Sequence, residues 1–256
     1  MNILKQAWVQ MKAQKMLSII SVIGTALSIF LIMVVVMLQQ VKVAPFAPEG
    51  NRDRLLHATA ASITSVEGSS TYWESNGCLS YKSARYLFGD MKTPEAVTIY
   101  TYGTTTSPVA LPASPAISAD VMDTDDNFWK VYDFTFIDGK PYDRSAFEAG
   151  LAEAVISESI ARRVFGSANV AGKELLINYV PYKVVGVVKD VSTLATGAYA
   201  TVWVPFTSTN IVSDGWNGDI MGSLAVTILA RDRKDFADIK QEYEANVEKY
   251  NKEIAS

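Results

Sequence analysis

From Leu17 to Leu38 the chain runs 22 residues without a charged side chain, and fourteen of them are Leu, Ile, Val or Phe. A helix of that length rises about 33 Å, enough to cross the hydrocarbon core of a bilayer. This one run divides everything else. Residues 1–16 read as a basic amphipathic segment on one side of a membrane, residues 17–38 as a transmembrane helix, and residues 44–256 as a domain on the other side. A cleaved signal peptide would carry an apolar stretch of only about 7–15 residues ending in small side chains. Here the stretch is longer and Gln39-Gln40-Val41-Lys42 follows it, so the helix is expected to stay attached.

Orientation follows from charge. Lys5, Lys12 and Lys15 precede the span, Lys42 alone follows it immediately, and no acid occurs before Glu49. Lysines gather on the cytoplasmic side, which puts the N-terminus in the cytoplasm, although Arg52 and Arg54 weaken the asymmetry. Leu4, Trp8 and Met11 recur at i, i+4 and i+7, the pattern of a short helix lying at the membrane surface. Inside the span, Ser21, Thr25 and Ser28 share one helical face with Gly24 beside them. Small residues at that spacing let a second helix come close, so the anchor is expected to have a packing partner.

The first 42 residues take four lysines and no acid, leaving 19 basic against 27 acidic side chains beyond them. An acidic domain is a poor nucleic-acid binder, because neutralising phosphates needs clustered Lys and Arg. Cys78 is the only cysteine and His57 the only histidine. An internal disulfide and a zinc site built from several Cys and His ligands are therefore excluded, and any nucleophile–His pair would have to use His57.

After the span, Pro45, Pro48 and Gly50 make a short stiff exit, and Arg54–Ile63 reads as a strand. Ser80–Phe88 reads as a helix, with strands at Ala96–Tyr102 and Ala116–Met122. Pro108, Pro112 and Pro115 between those strands argue for edge or loop, since proline cannot donate to a ladder. Asp123–Tyr132 fits a short helix capped by Asp123 or Thr124. Glu153–Ile156 then reads as a buried strand, Ser157 as the cap of a helix ending at Phe165 and Gly166, and Lys173–Asn178 and Tyr182–Lys189 as strands. Phe236, Ile239, Tyr243, Val247, Tyr250 and Ile254 form one apolar stripe of a final helix, expected to pack within the domain. The fold class is α+β: one N-terminal transmembrane helix followed by a mixed α/β extracytoplasmic domain.

Two motifs fail on inspection. Gly166–Glu174 has five residues between its glycines where a phosphate loop has four, Glu174 where a hydroxyl should bind magnesium, and a helix before it rather than a strand. Asp123-Thr124-Asp125-Asp126-Asn127 starts like a calcium loop but has Phe128 at the glycine position and Phe134 at the final acid position. Glu153 and Glu158 are solvent-facing charges by default, and acid–base chemistry there would need burial and geometry. The Thr207–Ser223 stretch is polar yet carries Ile211, Trp216 and Met221, which either contact a partner or tuck back onto the core.

The stretch Ala154–Gly166 (AVISESIARRVFG), then Gly172-Lys173, then Tyr182–Val191 (YKVVGVVKDV), closely resembles the MacB-like periplasmic core domain of FtsX-type ABC transporter permeases. The resemblance extends to Asn127–Phe134, to Gly139-Lys140-Pro141 and to the basic start followed by one membrane helix. It implies a non-enzymatic subunit of the cell inner membrane whose periplasmic domain transmits motion, driven by a separate cytoplasmic ABC ATPase, to export or extract a substrate. The implied partners are that ATPase subunit, other permease helices or a second permease copy, and membrane lipids. Permeases of this kind have further membrane helices after the external domain, expected here from another chain or a longer gene product. Two other readings compete: an anchored module that captures a ligand through aromatics such as Tyr72, Trp73 or Trp216, and an anchored hydrolase, which His57 alone can hardly equip. No catalytic, cofactor or metal-binding residue is assigned.

Mass analysis of the membrane-extracted protein is expected to return residue 1 or 2 at the N-terminus. A mature chain starting near residue 45 would contradict the anchor.

Overall fold

The computed structural model describes residues 9, 13–65, 72, 74–209, 211–212 and 220–254. The chain divides into two compact units, residues 1–44 and 45–256. The first contains α1 (Lys15–Val43), of which Lys15–Gln40 is apolar enough to cross a membrane, with a mean hydropathy of 2.8. Its apolar side chains, Ile23, Leu31 and Val35 among them, are exposed along its length. Hydroxyls cannot be left unsatisfied in lipid. Those of Ser18, Thr25 and Ser28 donate to the carbonyls of Gln14 (3.1 Å), Ser21 (2.8 Å) and Gly24 (2.8 Å) within the same helix. Leu4, Trp8 and Met11 lie outside the described residues.

In the second unit, β1 (Leu55–Ala58), β2 (Ala61–Thr64) and β3 (Glu74–Leu79) precede α2 (Tyr81–Phe88). Next come β4 (Ala96–Thr101), β5 (Thr105–Ala110), β6 (Ile117–Thr124) and α3 (Phe128–Val131). They are followed by β7 (Phe136–Gly139), α4 (Arg144–Glu148), β8 (Glu153–Ser157), α5 (Glu158–Phe165), β9 (Glu174–Ile177) and β10 (Val180–Val188). The chain finishes with β11 (Val202–Pro205), β12 (Met221–Gly222), β13 (Leu224–Leu229) and α6 (Phe236–Ile254). Among the described residues the strands join in the order β11-β8-β10-β9-β5-β6-β4-β13-β3-β12, with β1 on β13, β2 on β3 and β7 on β10.

Local chemistry accounts for the clearest elements. The Ser157 hydroxyl accepts from the Ile160 amide, and Gly166 closes α5 at φ 72°, a left-handed conformation that glycine adopts without steric cost. Ser80 caps α2 in the same way, accepting from the Ser83 amide at 3.0 Å. The stripe on α6 packs within the domain: Tyr243 stacks on Phe88 at 5.1 Å, Tyr250 lies 4.8 Å from the Tyr86 ring, and Asn246 donates to the Leu87 carbonyl. Ile254, at its end, is exposed.

Two expectations need correcting. Arg54–Ile63 is two strands, because β1 pairs with β13 while β2 pairs with β3, and the strand is interrupted at Thr59 and Ala60 to change neighbours. Of the two places expected for Pro108, edge or loop, the structure shows the edge: it lies in β5 beside β6, where β9 pairs only with Val109 and Ala110, and its carbonyl accepts from the Asn178 amide at 2.9 Å. Asp123 and Thr124 do not cap α3. Parallel pairing with Val204 and Pro205 of β11 keeps them extended, and the Asp125 carboxylate takes the Phe128 amide instead.

Val187 is fully buried in β10, opposite Ile156 of β8 and Asp138 of β7. Val187→Asp is expected to cost about 3 kcal/mol or more, since an unpaired charge there loses its water. An unchanged melting temperature of the full chain in detergent would refute the burial of this strand.

Candidate functional site

The sheet has a narrow neck. β4 and β6 meet at a single residue pair, Tyr100 and Thr124, and this junction links the strands β5–β11 to the half that holds β1–β4, β12 and β13. One residue pair carries little ladder hydrogen bonding, so side chains brace the joint. The Asp125 carboxylate accepts from the Thr98 hydroxyl (2.5 Å) and the Ile99 amide (2.8 Å) of β4, and from the Phe128 amide (3.0 Å) that opens α3. Its own amide donates to the Ile99 carbonyl at 3.1 Å. Two residues earlier, the Asp123 amide donates to the Thr101 hydroxyl at 3.0 Å.

Asp125 is only 7% exposed. Burial pushes its carboxyl up to about 7, against the pull of the donors from Thr98 and Ile99. Burial also pushes Asp123 up to about 6, opposed by the Thr209 hydroxyl. Beside the neck, the Thr124 and Tyr142 hydroxyls bond to one another in the core. On the β13 side a second polar group forms, in which Thr227 Oγ1 lies 2.9 Å from His57 Nδ1, 2.9 Å from the Tyr100 hydroxyl and 3.0 Å from the Tyr132 hydroxyl. The backbone at Gly197 lies against these phenols so closely that a Cβ there would stand 2.5 Å from the Tyr132 oxygen.

The membrane residues Ser21, Gly24, Thr25 and Ser28 do share a face of α1, and nothing lies within 4 Å of where a Cβ on Gly24 would stand. The Thr25 and Ser28 hydroxyls are used inside the helix, donating to the Ser21 and Gly24 carbonyls. Ile211 is half-buried against the cluster that holds Leu79, Phe206, Leu224 and Ile239. Met221 belongs to β12 and pairs with Leu79 of β3, so it is sheet rather than loop. Trp216 and Trp73 lie outside the described residues, and Tyr72 is exposed with its hydroxyl on Glu74. Glu158 pairs with Arg162 at 2.7 Å, and burial raises Glu153 above the usual carboxylate range. Among the described residues no group of three or more His, Cys, Asp or Glu side chains is placed to hold a metal ion. A cleft of about 560 Å³ beside Asp125 is walled by Arg85 and Arg144 but also by Asp126 and Glu148, so its charges do not converge on one sign.

Sequence reasoning missed the neck. Asp125 is visible as an acid three residues before an aromatic helix start, but its bonds to β4 depend on a strand pairing that spacing alone does not reveal.

Comparison with known proteins places this geometry. The MacB-like periplasmic core domain family matches residues 17–246. The chain is similar to the macrolide export ATP-binding/permease protein MacB of Pasteurella multocida, 24% identical over 122 residues, 48% of this chain and 18% of that protein. The MacB protein of Shigella dysenteriae is 23% identical over 131 residues, 49% of this chain and 19% of that one. The match thus spans under a fifth of the length of these relatives. In fold it is similar to the periplasmic region of MacB from Actinobacillus actinomycetemcomitans, with a TM-score of 0.54, 18% identity, and coverage of 68% of this chain and 75% of that one. A domain of a putative permease protein from Porphyromonas gingivalis gives a TM-score of 0.55 at 16% identity, covering 78% and 84%.

Asp125→Asn keeps one oxygen for Thr98 and Phe128 but turns an N–H toward the Ile99 N–H, so it is expected to cost about 1–3 kcal/mol. The pH dependence has a definite sign. With its folded value raised to about 7, wild-type Asp125 contributes stability that is full below its unfolded value of 3.8 and lost as the pH rises through 7. Thermal melts across that range should show this slope reduced in Asp125→Asn, and an identical slope would contradict the assignment.

Proposed function

Because the chain belongs to the MacB-like periplasmic core domain family, we propose that it is the N-terminal part of an ABC transporter permease whose external domain couples a separate cytoplasmic ATPase to export or extraction of a substrate. The family is a transporter domain and not an enzyme family. In this reading the lysine-rich N-terminus is cytoplasmic, α1 crosses the inner membrane, and residues 44–256 work in the periplasm. The observation that carries it is the family match over residues 17–246, together with the apolar helix Lys15–Gln40 that precedes the domain.

Energy has to come from elsewhere. The Gly166–Glu174 segment is the end of a helix, a turn and the start of a strand, which lacks the strand–loop–helix geometry that cradles phosphate. The MacB relatives are ATP-binding/permease proteins, and that supports an ATPase as the partner here. A single helix cannot enclose a polar pathway, so the face of Ser21, Gly24, Thr25 and Ser28 serves to dock other permease helices or a second copy. Lipid covers the rest of the span. Ile211, Trp216 and Met221 are proposed as a partner-contact region, with Ile211 and Met221 only partly buried.

A Cys at position 25, in a Cys78→Ser background, is expected to crosslink to another membrane helix, and the purified chain should give no heat with Mg-ATP. Micromolar ATP binding would contradict the division of labour, and a strictly monomeric position 25 in native membranes would contradict the docking face.

A further inference from the structure

The sole histidine sits at one end of a polar path that leads to the neck. His57 of β1 is the register partner of Thr227 in β13, and Thr227 is the register partner of Thr98 in β4. His57 stays open to solvent, whereas Thr227 and Thr98 are fully buried. Thr227 Oγ1 has three partners, and a hydroxyl has one proton to give and two lone pairs to receive with. If both phenols donate to Thr227, its proton goes to His57 Nδ1, which must then be bare. Tyr100, one of those phenols, is also the residue whose backbone pairs with Thr124 across the neck.

We infer that His57 is a proton-sensitive latch on the β4–β6 junction: protonating its imidazole reverses the hydrogen bond to Thr227 and loosens the hydroxyl group of contacts that braces Tyr100. An imidazolium carries a proton on both nitrogens, so Nδ1 becomes a donor. Thr227 must then accept from it, and its own proton turns toward a phenol oxygen. One tyrosine O–H then loses Thr227 as its acceptor and has the other phenol to turn to, which rearranges the contacts around Tyr100.

The charged groups facing the latch act on it in opposite senses. Partial burial lowers His57 below its usual 6.5, Glu49 pulls it back up, and Arg52 lowers it further. Glu49 and Arg52 come from the segment that leads into the domain and pair with each other at 2.5 Å, and Asp133 stands beside Gly50 in the same region. Tyr100 and Tyr132 are both raised by burial, so they remain protonated donors at any pH where the histidine responds. A protonated His57 competes with Arg52 for the Glu49 carboxylate, which extends the effect to the lead-in segment Pro45–Arg54. Because the folded value lies below the unfolded one, the stability from neutral His57 is present above 6.5 and lost as the pH falls below it. This sign is opposite to that of Asp125.

The test uses the full chain in detergent, where the single histidine gives a single set of imidazole signals. At about pH 7.5 the Nε2-protonated tautomer is expected, with Nδ1 bare. Between about pH 7.5 and pH 5, amide exchange in Ile99–Thr101 and Phe46–Arg54, corrected for its intrinsic rate, should quicken several-fold in wild type and not in His57→Gln. Should His57→Gln fail to fold, Thr227→Val in its place is expected to unlink the exchange of Ile99–Thr101 from the histidine's protonation. An Nδ1-protonated imidazole at neutral pH, or the same exchange change in wild type and variant, overturns the latch.

Discussion

The Asp125 carboxylate gathers two donors from β4 and one from α3 at a junction where the strands themselves contribute a single pair. A buried acceptor with three donors is costly to open, because each freed donor would be left dry. On either side of this clamp the apolar core completes the bond between the halves: Tyr100, Ala225 and Leu229 from one half share a cluster with Met122, Val155 and Trp203 from the other. Edge-to-face contacts of Trp129 and Phe134 with Trp203, at 6.2 and 5.2 Å, tie α3 and the turn after it to β11. The clamp fixes register and the rings supply the apolar burial.

The proposed function depends on two properties that come from different parts of the chain. In it the apolar run of α1 is the anchor, and the hydroxyls of Ser18, Thr25 and Ser28 stay compatible with lipid by bonding to carbonyls one turn back. The domain is the body proposed to move. On the domain side, the Asp133 amide donates to the Pro48 carbonyl at 2.7 Å and the Arg52 guanidinium to the Leu194 carbonyl at 3.3 Å, which holds the first turn of chain to the fold.

Much of this was legible in the sequence because local physics decides it. The uncharged run, the Ser157 cap, the Gly166 stop and the α6 stripe each depend on neighbours within a few residues, and each stands where the pattern puts it. What failed depended on distant partners. Arg54–Ile63 looked continuous because its change of partner from β13 to β3 leaves no mark on composition. The acids at 123–126 looked like caps or failed calcium ligands, whereas tertiary contacts with Thr98, Ile99 and Thr101 decide what they do. The Thr227 group was hidden for the same reason: its members come from four separated stretches of chain.

The neck holds the two halves of the domain together as one cooperative body. Native-state hydrogen exchange under low denaturant tests this most directly, by comparing the slowest amides of β10 with those of β13. One common opening free energy is expected, with both strands exchanging only through global unfolding. Separate opening of the half that contains β13 and α6, at a clearly lower free energy, would show that the neck does not couple them.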